Sequence, residues 1–368
     1  MRIADLPTPS LLLDLPKLRR NLAAMATAAA RHGVSLRPHL KTAKSVEVAR
    51  LATEGQAGGI TVSTLAEARA FAEAGFRDQI YAVGITPQKL DAVASLNARG
   101  ADVKVITDDL DVAEAIAAHP GRLGALIEVD AGEHRGGIAP DDARLVAIAQ
   151  RLGTRFAGLL AHAGHSCAGR SVAELAAIAE AERAGLVAAA ARVRAAGLEV
   201  PIVSMGSSPT ALHAERLEGI TELRAGVYMF GDLLQCQIHT SALEHIAVSV
   251  LASVIGRRPE QNRLLLDAGA LALSKDRSTE AAPEDYGFGL VVDLEGRPSL
   301  GRAIIRRTWQ EHAVVESDRP LPFERLPVGA KLRVLPNHAC LTAAAYPAYH
   351  VLDGGDEVVA VWQRVNYW

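Results

Sequence analysis

Cysteine is scarce. The 368 residues hold three, Cys167, Cys236 and Cys340, far apart and odd in number. A secreted disulfide framework uses more of them, in even number, so no such framework is expected. Aromatic residues make up only 4% of the chain, and six Phe with six Tyr announce no aromatic substrate pocket. A surplus of one charge is missing as well. With a net charge of -3 and scattered Lys and Arg, neither nucleic acid nor an acidic membrane is an expected partner. No apolar run reaches the length of a membrane span, and the Ala-rich stretch from Leu22 to Ala30 is flanked by charge. Met1 to Asp14 carries charges and prolines where a secretory leader would be uninterruptedly apolar. A soluble, cytoplasmic protein is the expectation.

Apolar residues are plentiful, at 49% of the chain, and they are patterned. Short β-type runs recur at Ser35–His39, Gly59–Ser63, Gln79–Val83, Asp102–Thr107, Ala125–Asp130, Phe156–Ala161, Pro201–Met205 and Thr221–Arg224. Between them, stretches such as Pro16–His32, Ser45–Glu54, Leu65–Ala74, Asp109–His119 and Val172–Ala196 space apolar residues as helices packing on a sheet do. Eight β-then-α units predict an α/β fold built on a closed (β/α)8 barrel, with a doubly wound open sheet as runner-up. Thr64 and Glu67 read as a helix-starting capping box.

After about Thr240 the pattern changes. Ala247–Ile255, Arg263–Asp267, Leu290–Val292, His312–Glu316, Lys331–Leu335 and Glu357–Gln363 are short, β-branched and separated by turn residues, which predicts an all-β domain. Ser10–Asp14 is strand-like too and is expected to join that later sheet. The division is therefore a barrel over residues 15–240 and a β-domain from 1–14 and 241–368.

Four segments at the carboxyl ends of barrel strands, where barrels place their active sites, gather chemistry. Arg37-Pro38-His39-Leu40-Lys41-Thr42 follows the first strand, and a desolvated lysine there can form a Schiff base with an aldehyde; taken alone, such a lysine is ordinarily a solvated surface residue. Glu128 to Gly137 includes Arg135 among glycines that let backbone approach a ligand, or else forms a polar loop with a plain salt bridge. Ser204-Met205-Gly206-Ser207-Ser208-Pro209-Thr210 offers amides and hydroxyls to a phosphate, and a simple helix cap explains part of it equally well. Glu222-Leu223-Arg224-Ala225-Gly226-Val227-Tyr228 can complete a phosphate cup, or merely pack Tyr228 at a strand end.

Taken in order, Arg-Pro-His-x-Lys-Thr, Asp-x-Gly-x-x-Arg-x-Gly, Gly-His-Ser, Gly-Ser-x-Pro-Thr and Glu-Leu-Arg-x-Gly-x-Tyr resemble the D-serine dehydratase / D-threonine aldolase family, which has the alanine-racemase-like fold and uses pyridoxal 5′-phosphate (PLP). The resemblance runs from Thr8-Pro9 to Trp368. It implies that Lys41 holds PLP, that Arg135 sits by its phenolic oxygen, and that Gly206, Ser207, Ser208, Gly226, Val227 and Tyr228 hold its phosphate. Arg224 would face the pyridine nitrogen, keep it unprotonated and so weaken the electron sink. His162 stands where the family has a tyrosine near the cofactor, His165 is carried over as a site residue, and Ala43 replaces a histidine. Asp267-Ala268-Gly269 and Glu311-His312 also match family segments.

In Pro336-Asn337-His338-Ala339-Cys340, strand alternation predicts His338 and Cys340 on one side, and imidazole with thiolate suits Zn²⁺ or another divalent metal. By the resemblance, a His-x-Cys pair marks the dehydratase branch and His-x-Asp the aldolases. The implied reaction is β-elimination from a D-β-hydroxy amino acid, D-serine or D-threo-3-hydroxyaspartate, to a 2-oxo acid and ammonia. The metal would activate the hydroxyl leaving group, and Lys41 would take the α-proton. Retro-aldol cleavage to glycine and an aldehyde is the alternative; a racemase and a non-catalytic PLP carrier are more distant ones. A homodimer is expected by resemblance.

Overall fold

The computed structural model describes all residues 1–368. The chain forms two compact units, Ala23–Gly226 with Val365–Trp368, and Met1–Leu22 with Val227–Arg364. In chain order, β1 (Ser10–Asp14) and α1 (Leu15–Arg31) lead into β2 (Ser35–Pro38), α2 (Val46–Thr53), β3 (Ile60–Val62), α3 (Leu65–Glu73), β4 (Asp78–Gly84) and α4 (Leu90–Ala98). Then follow β5 (Asp102–Thr107), α5 (Leu110–Ala118), β6 (Gly124–Val129), α6 (Arg144–Leu152), β7 (Phe156–Ala161), α7 (Val172–Ala195), β8 (Ile202–Met205), α8 (Ser208–His213) and β9 (Glu222–Ala225).

Strands β2 to β9 form one parallel sheet in the order β2-β9-β8-β7-β6-β5-β4-β3. A parallel bridge between His39 and Thr61, with the Leu40 N–H donating to the Thr61 carbonyl at 2.8 Å, brings its two ends together. The sheet is thus a (β/α)8 barrel, and the open doubly wound alternative falls away. The strands are short and buried on both faces, as β3 shows with Ile60, Thr61 and Val62 all inaccessible, the habit of parallel strands covered by helices. Helix starts are held by side-chain caps: Thr64 accepts from the Glu67 N–H at 3.1 Å and Asp109 from the Val112 N–H at 2.9 Å.

The expected capping box at Thr64 forms only in its forward half. Glu67 is fully buried, and its carboxylate takes the Ser63 N–H at 3.1 Å and pairs with the Lys44 ammonium. A buried carboxylate needs a compensating cation, and Lys44 supplies it. A second buried pair spans the barrel strands: Arg37 on β2 donates to Glu222 on β9 at 2.8 Å and to Asp78 on β4 at 2.8 Å.

The other unit is built on β10 (Val248–Arg258), β11 (Arg263–Leu266), β12 (Gly289–Val292), β13 (Ile304–Thr308), β14 (Ala313–Glu316), β15 (Lys331–Pro336), β16 (Ala348–Leu352) and β17 (Val358–Gln363), with short helices α9 (Leu233–Gln237), α10 (Ala270–Leu273) and α11 (Ala339–Ala344). Strand β10 pairs with both β11 and β15, so β10-β11-β14-β13-β12-β15 closes on itself. Eleven residues and a bulge between Val254 and Gly256 let β10 serve both neighbours. Leu233, Ile246, Leu290, Val292, Ile304 and Leu335 pack together as one of this unit's cores. Strand β1 pairs antiparallel with β10 and parallel with β16, so Ser10–Asp14 does join the later sheet.

Two strands escaped the sequence pattern. In β13 the exposed Arg306 and Arg307 and a bulge after Ile305 break the alternation, and β16 has a single β-branched residue, Val351. No helix of the chain is long and apolar enough to cross a membrane.

Replacing Arg37 by Met leaves Glu222 buried without its cation. The expected cost is about 3–5 kcal/mol, read as a lower urea midpoint at unchanged slope; an unchanged midpoint would show that the pair does not hold the barrel.

Candidate active site

Strand β2 ends at Pro38, and the chain turns through His39, Leu40, Lys41 and Thr42 before α2. Thr42 and Ala43 are buried while Lys41 is exposed. Around it the barrel gathers basic groups. His39 is driven well below the ordinary imidazole range, first by burial and then by the charges of Lys41 and Arg224. His162, just past β7, falls to about 3 for the same reasons, burial first and Lys41 next. Its Nδ1 lies 2.9 Å from the Gly206 carbonyl. A carbonyl only accepts, so Nδ1 carries the proton and Nε2 keeps its lone pair. His162 is therefore a neutral base with a defined tautomer.

Arg224 is fully buried and fixed from two sides. One guanidinium nitrogen donates to Ser204 Oγ at 2.7 Å and another to the Ala161 carbonyl at 2.5 Å. Ser204 in turn donates to Glu222 at 2.6 Å, so the Arg37–Glu222 pair reaches Arg224 through one hydroxyl. Arg135 is more than half exposed and sits between Glu133 at 3.3 Å and Glu128 at 3.6 Å. Burial pushes the Glu128 carboxyl up against the opposing pull of Arg135. Arg135 also contributes to the field that keeps His162 neutral. The plain salt bridge is present, and it holds the guanidinium near the histidine.

The Gly206–Thr210 turn is more tightly built than its sequence suggests. Ser207 caps α8 in a full capping box: its N–H donates to Thr210 Oγ1 at 3.0 Å, and its hydroxyl accepts the Thr210 N–H at 3.3 Å. The Gly206 N–H donates to Glu182 at 2.9 Å, so that amide serves the scaffold. What glycine supplies here is close approach: at φ +137°, a Cβ on Gly206 would lie 2.3 Å from the Arg224 carbonyl oxygen. Gly226 is confined likewise, since a Cβ there would meet the His39 carbonyl and Thr42 Oγ1 at 2.9 Å. Ser208 is buried beside Ser207. Val227 and Tyr228 follow in the chain and open a short turn, Val227–Met229, in which burial raises the Tyr228 phenol.

Lys41, His39, His162, Arg135 and Arg224 thus form one electrostatic cluster on the barrel unit, while Gly206, Ser207, Ser208 and Gly226 end its last two strands. The set fits PLP. It offers an amine, positive surroundings for an anion, and two places where only glycine admits the backbone. His165, in the turn Gly164–Ala168, adds a buried Nδ1 without a partner in the chain, a ring nitrogen that a ligand would satisfy.

His338 and Cys340 lie in the other unit, and the expected strand geometry is wrong there. Strand β15 ends at Pro336, which has no N–H for the ladder, and the Ala-rich run that follows coils into α11 with His338 as its N-cap. The two side chains still meet, hydrogen-bonded across the first turn. Asp276 holds His338 Nδ1 at 2.8 Å and is itself drawn down to about 2, chiefly by that bond. Burial opposes charge on His338, but Asp276 and Cys340 outweigh it and push it up to about 11. With Nδ1 on a carboxylate, Nε2 is the nitrogen left for a metal, the arrangement that orients histidine ligands. Buried Asp232 accepts the Ala339 N–H at 3.0 Å and adds negative potential. The pair alone is two ligands, and imidazole with thiolate fits a zinc-like ion with open positions.

Asp267 accepts from the Thr8 hydroxyl at 2.5 Å and the Ser253 N–H at 2.7 Å, which makes it a brace of the β-unit. Glu311 and His312 are exposed. The sequence reading missed Glu182 and Asp276. Glu182 left a signal: it occupies the position that Leu175, Ala179, Leu186 and Ala189 mark as the buried stripe of α7. Asp276 left none, being 62 residues from His338.

Comparison with known proteins follows the same division. Residues 13–233 match the alanine racemase N-terminal domain, and residues 247–352 a putative serine dehydratase domain. The D-threo-3-hydroxyaspartate dehydratase of Delftia sp. (strain HT23) is 44% identical over all of this chain and 99% of its own. Its solved structure superposes with a TM-score of 0.96 at 43% identity, covering 100% of both chains. Solved variants of a D-threo-3-hydroxyaspartate dehydratase include one with a histidine replaced by alanine, and one, in a metal-free form, with a cysteine two positions further on replaced by alanine. The D-serine dehydratase of Dictyostelium discoideum is 29% identical over 100% of this chain and 98% of its own. The D-threonine aldolase of Arthrobacter sp. is 32% identical over 96% and 89%.

Burial lifts Glu182 from an ordinary 4.5 to about 7, against the pull of its hydrogen bonds. A carboxyl raised on folding holds its proton longer in the native state, so its contribution to stability falls as pH rises from 4.5 to 7 and is level above. Glu182→Gln lacks this loss. The stability difference, wild type minus variant, should shrink on the order of 3 kcal/mol across that window, measured by urea unfolding of both proteins at pH 5 and pH 8. A difference independent of pH would contradict the assignment.

Proposed function

The chain belongs to the D-serine dehydratase / D-threonine aldolase family of alanine-racemase-like enzymes, and from that premise we propose that it is a zinc- and PLP-dependent dehydratase of D-threo-3-hydroxyaspartate or D-serine. Its relatives are lyases of D-amino acids, and this chain is a PLP-dependent lyase like them. The observation that carries the finer reading is the pairing of His338 with Cys340 beside Asp276. A thiolate and an imidazole select a borderline-soft ion over a hard one, and two protein ligands leave room for a substrate oxygen.

When bound, PLP supplies an electron sink for a carbanion at Cα, and the metal a Lewis acid for the β-hydroxyl. The chain's own residues do the rest. The Lys41 amine holds the cofactor and carries the α-proton. His162, neutral with a free Nε2, stands ready to accept or return a proton in the same cluster. Arg224, gripped by Ser204 and the Ala161 carbonyl, would offer the cofactor's ring nitrogen a guanidinium that is always protonated. Gly206, Ser207, Ser208, Gly226, Val227 and Tyr228 would hold the phosphate, Arg135 would serve the phenolic oxygen, and the unpartnered His165 Nδ1 would be open to the ligand. His338 and Cys340 hold the metal, and Asp276 fixes the imidazole. The products are a 2-oxo acid and ammonia.

Retro-aldol cleavage is the competing outcome, since an aldolase is among the relatives at 32% identity. The loaded enzyme is assayed with D-threo-3-hydroxyaspartate, D-serine and D-threonine for 2-oxo acid and for glycine, with and without a chelator. Chelator-sensitive 2-oxo acid is expected. Glycine with an aldehyde would make the enzyme an aldolase, and inversion without cleavage a racemase; no turnover of any would leave a carrier. Asp276→Asn should lower zinc affinity about 10–100-fold, read by competition with a coloured chelator, and unchanged affinity would detach Asp276 from the site. A homodimer is part of the same proposal, and sedimentation of the loaded enzyme as a single chain would remove it.

A further inference from the structure

Glu182 is an acid in the middle of α7 with no solvent-accessible surface. Its partners are three hydrogen-bond donors rather than a contacting cation. One oxygen accepts the Gly206 N–H at 2.9 Å, the other accepts the Thr210 hydroxyl at 2.8 Å, and the Ala163 N–H adds a third bond. These donors belong to different segments: the turn after β7, the end of β8, and α8. An apolar residue of similar size would pack in such a stripe at lower cost, so the acid is explained by what it ties together.

The consequences run outward from the carboxylate. The Thr210 hydroxyl donates to Glu182, so its proton points toward that acid. The Thr210 oxygen is then left as an acceptor, and it takes the Ser207 N–H at 3.0 Å. That bond closes one half of the capping box that sets the Ser207–Ser208 turn. On the other side, Ala163 follows His162 in the chain, and Gly206 offers its carbonyl to His162 Nδ1. The hydroxyls of Ser166 and Ser207, 2.9 Å apart, join the two turns directly. One buried group therefore governs both the serine turn and the residues beside His162.

We propose that Glu182 is a positioning residue for the phosphate end of the cofactor: through Gly206, Ala163 and Thr210 it sets the Ser207–Ser208 turn and the His162 turn in their binding shape before the cofactor arrives. The proposal rests on the reading of that turn as the phosphate cup. It touches neither phosphate nor substrate, and acts through the segments it holds.

The test uses the full chain, purified as holoenzyme and resolved of its cofactor, titrated with PLP and separately with pyridoxal, which lacks the phosphate. Binding is followed by absorbance. Two variants are compared with wild type: Glu182→Ala, and Thr210→Val, which keeps the side-chain shape and decides the matter if the first does not accumulate. A preference of wild type for PLP, lowered at least about tenfold in each variant with pyridoxal binding unchanged, is the expected result. Equal weakening of both ligands would reduce Glu182 to a general structural role and overturn the proposal. A wild-type preference that survives both substitutions would overturn it too, while leaving the phosphate cup standing. Wild type binding pyridoxal as tightly as PLP would instead overturn the cup, and the proposal with it.

Discussion

Positive charge crowded into a small volume is the constraint on which the barrel site depends. His39 and His162 are buried first of all, and Lys41 and Arg224 act on both while Arg135 acts on His162, so an imidazolium is disfavoured at either. The imidazoles yield. Both are held neutral, and His162 is left with one defined lone pair because its single N–H, at Nδ1, donates to the Gly206 carbonyl. The remaining charge is partly met by Glu128 and Glu222, and the rest makes the place attractive to an anion. A phosphorylated cofactor and an amino-acid carboxylate are anions of that kind.

Holding such a cluster open requires a scaffold that does not collapse onto it. Arg224 is kept in place by Ser204, Ser204 by Glu222, and Glu222 by Arg37. The chain of contacts passes between β9, β8 and β2, so the barrel's own strands fix the direction of the guanidinium. Glu182 does the corresponding task from the helical layer. In the other unit the signs are reversed, with Asp276 and Asp232 around His338, which suits a cation. Each unit therefore offers the potential that its proposed ligand needs.

Much of this was legible in the sequence, and what was not has physical causes. Asp102–Thr107 and Phe156–Ala161 are found with the expected ends, because short buried strands between amphipathic helices leave sharp apolar blocks. Ser10–Asp14 was readable as a member of a sheet more than two hundred residues away, since its residues are buried on both faces. At His338 the alternation runs on past Pro336 and predicts a strand, but Ala339 to Ala344 follow helix propensity once the ladder stops. The segment motifs bring forward Lys41, Arg135 and Arg224 as candidates, with Glu128 and Glu222 beside them, and the resemblance adds His162; Glu182 and Asp276 stand in none of these segments. Glu182 and Asp276 act across the fold through contacts that no local spacing encodes.

The central claim is that Lys41, within this basic cluster, is the residue that holds PLP. Reduction of the PLP-loaded enzyme with borohydride fixes the cofactor to the amine that carries it, and peptide mass spectrometry then finds the modified position. The account predicts one modified lysine, Lys41, and loss of the modification in Lys41→Ala. Modification of a different lysine, or undiminished labelling in that variant, would contradict it.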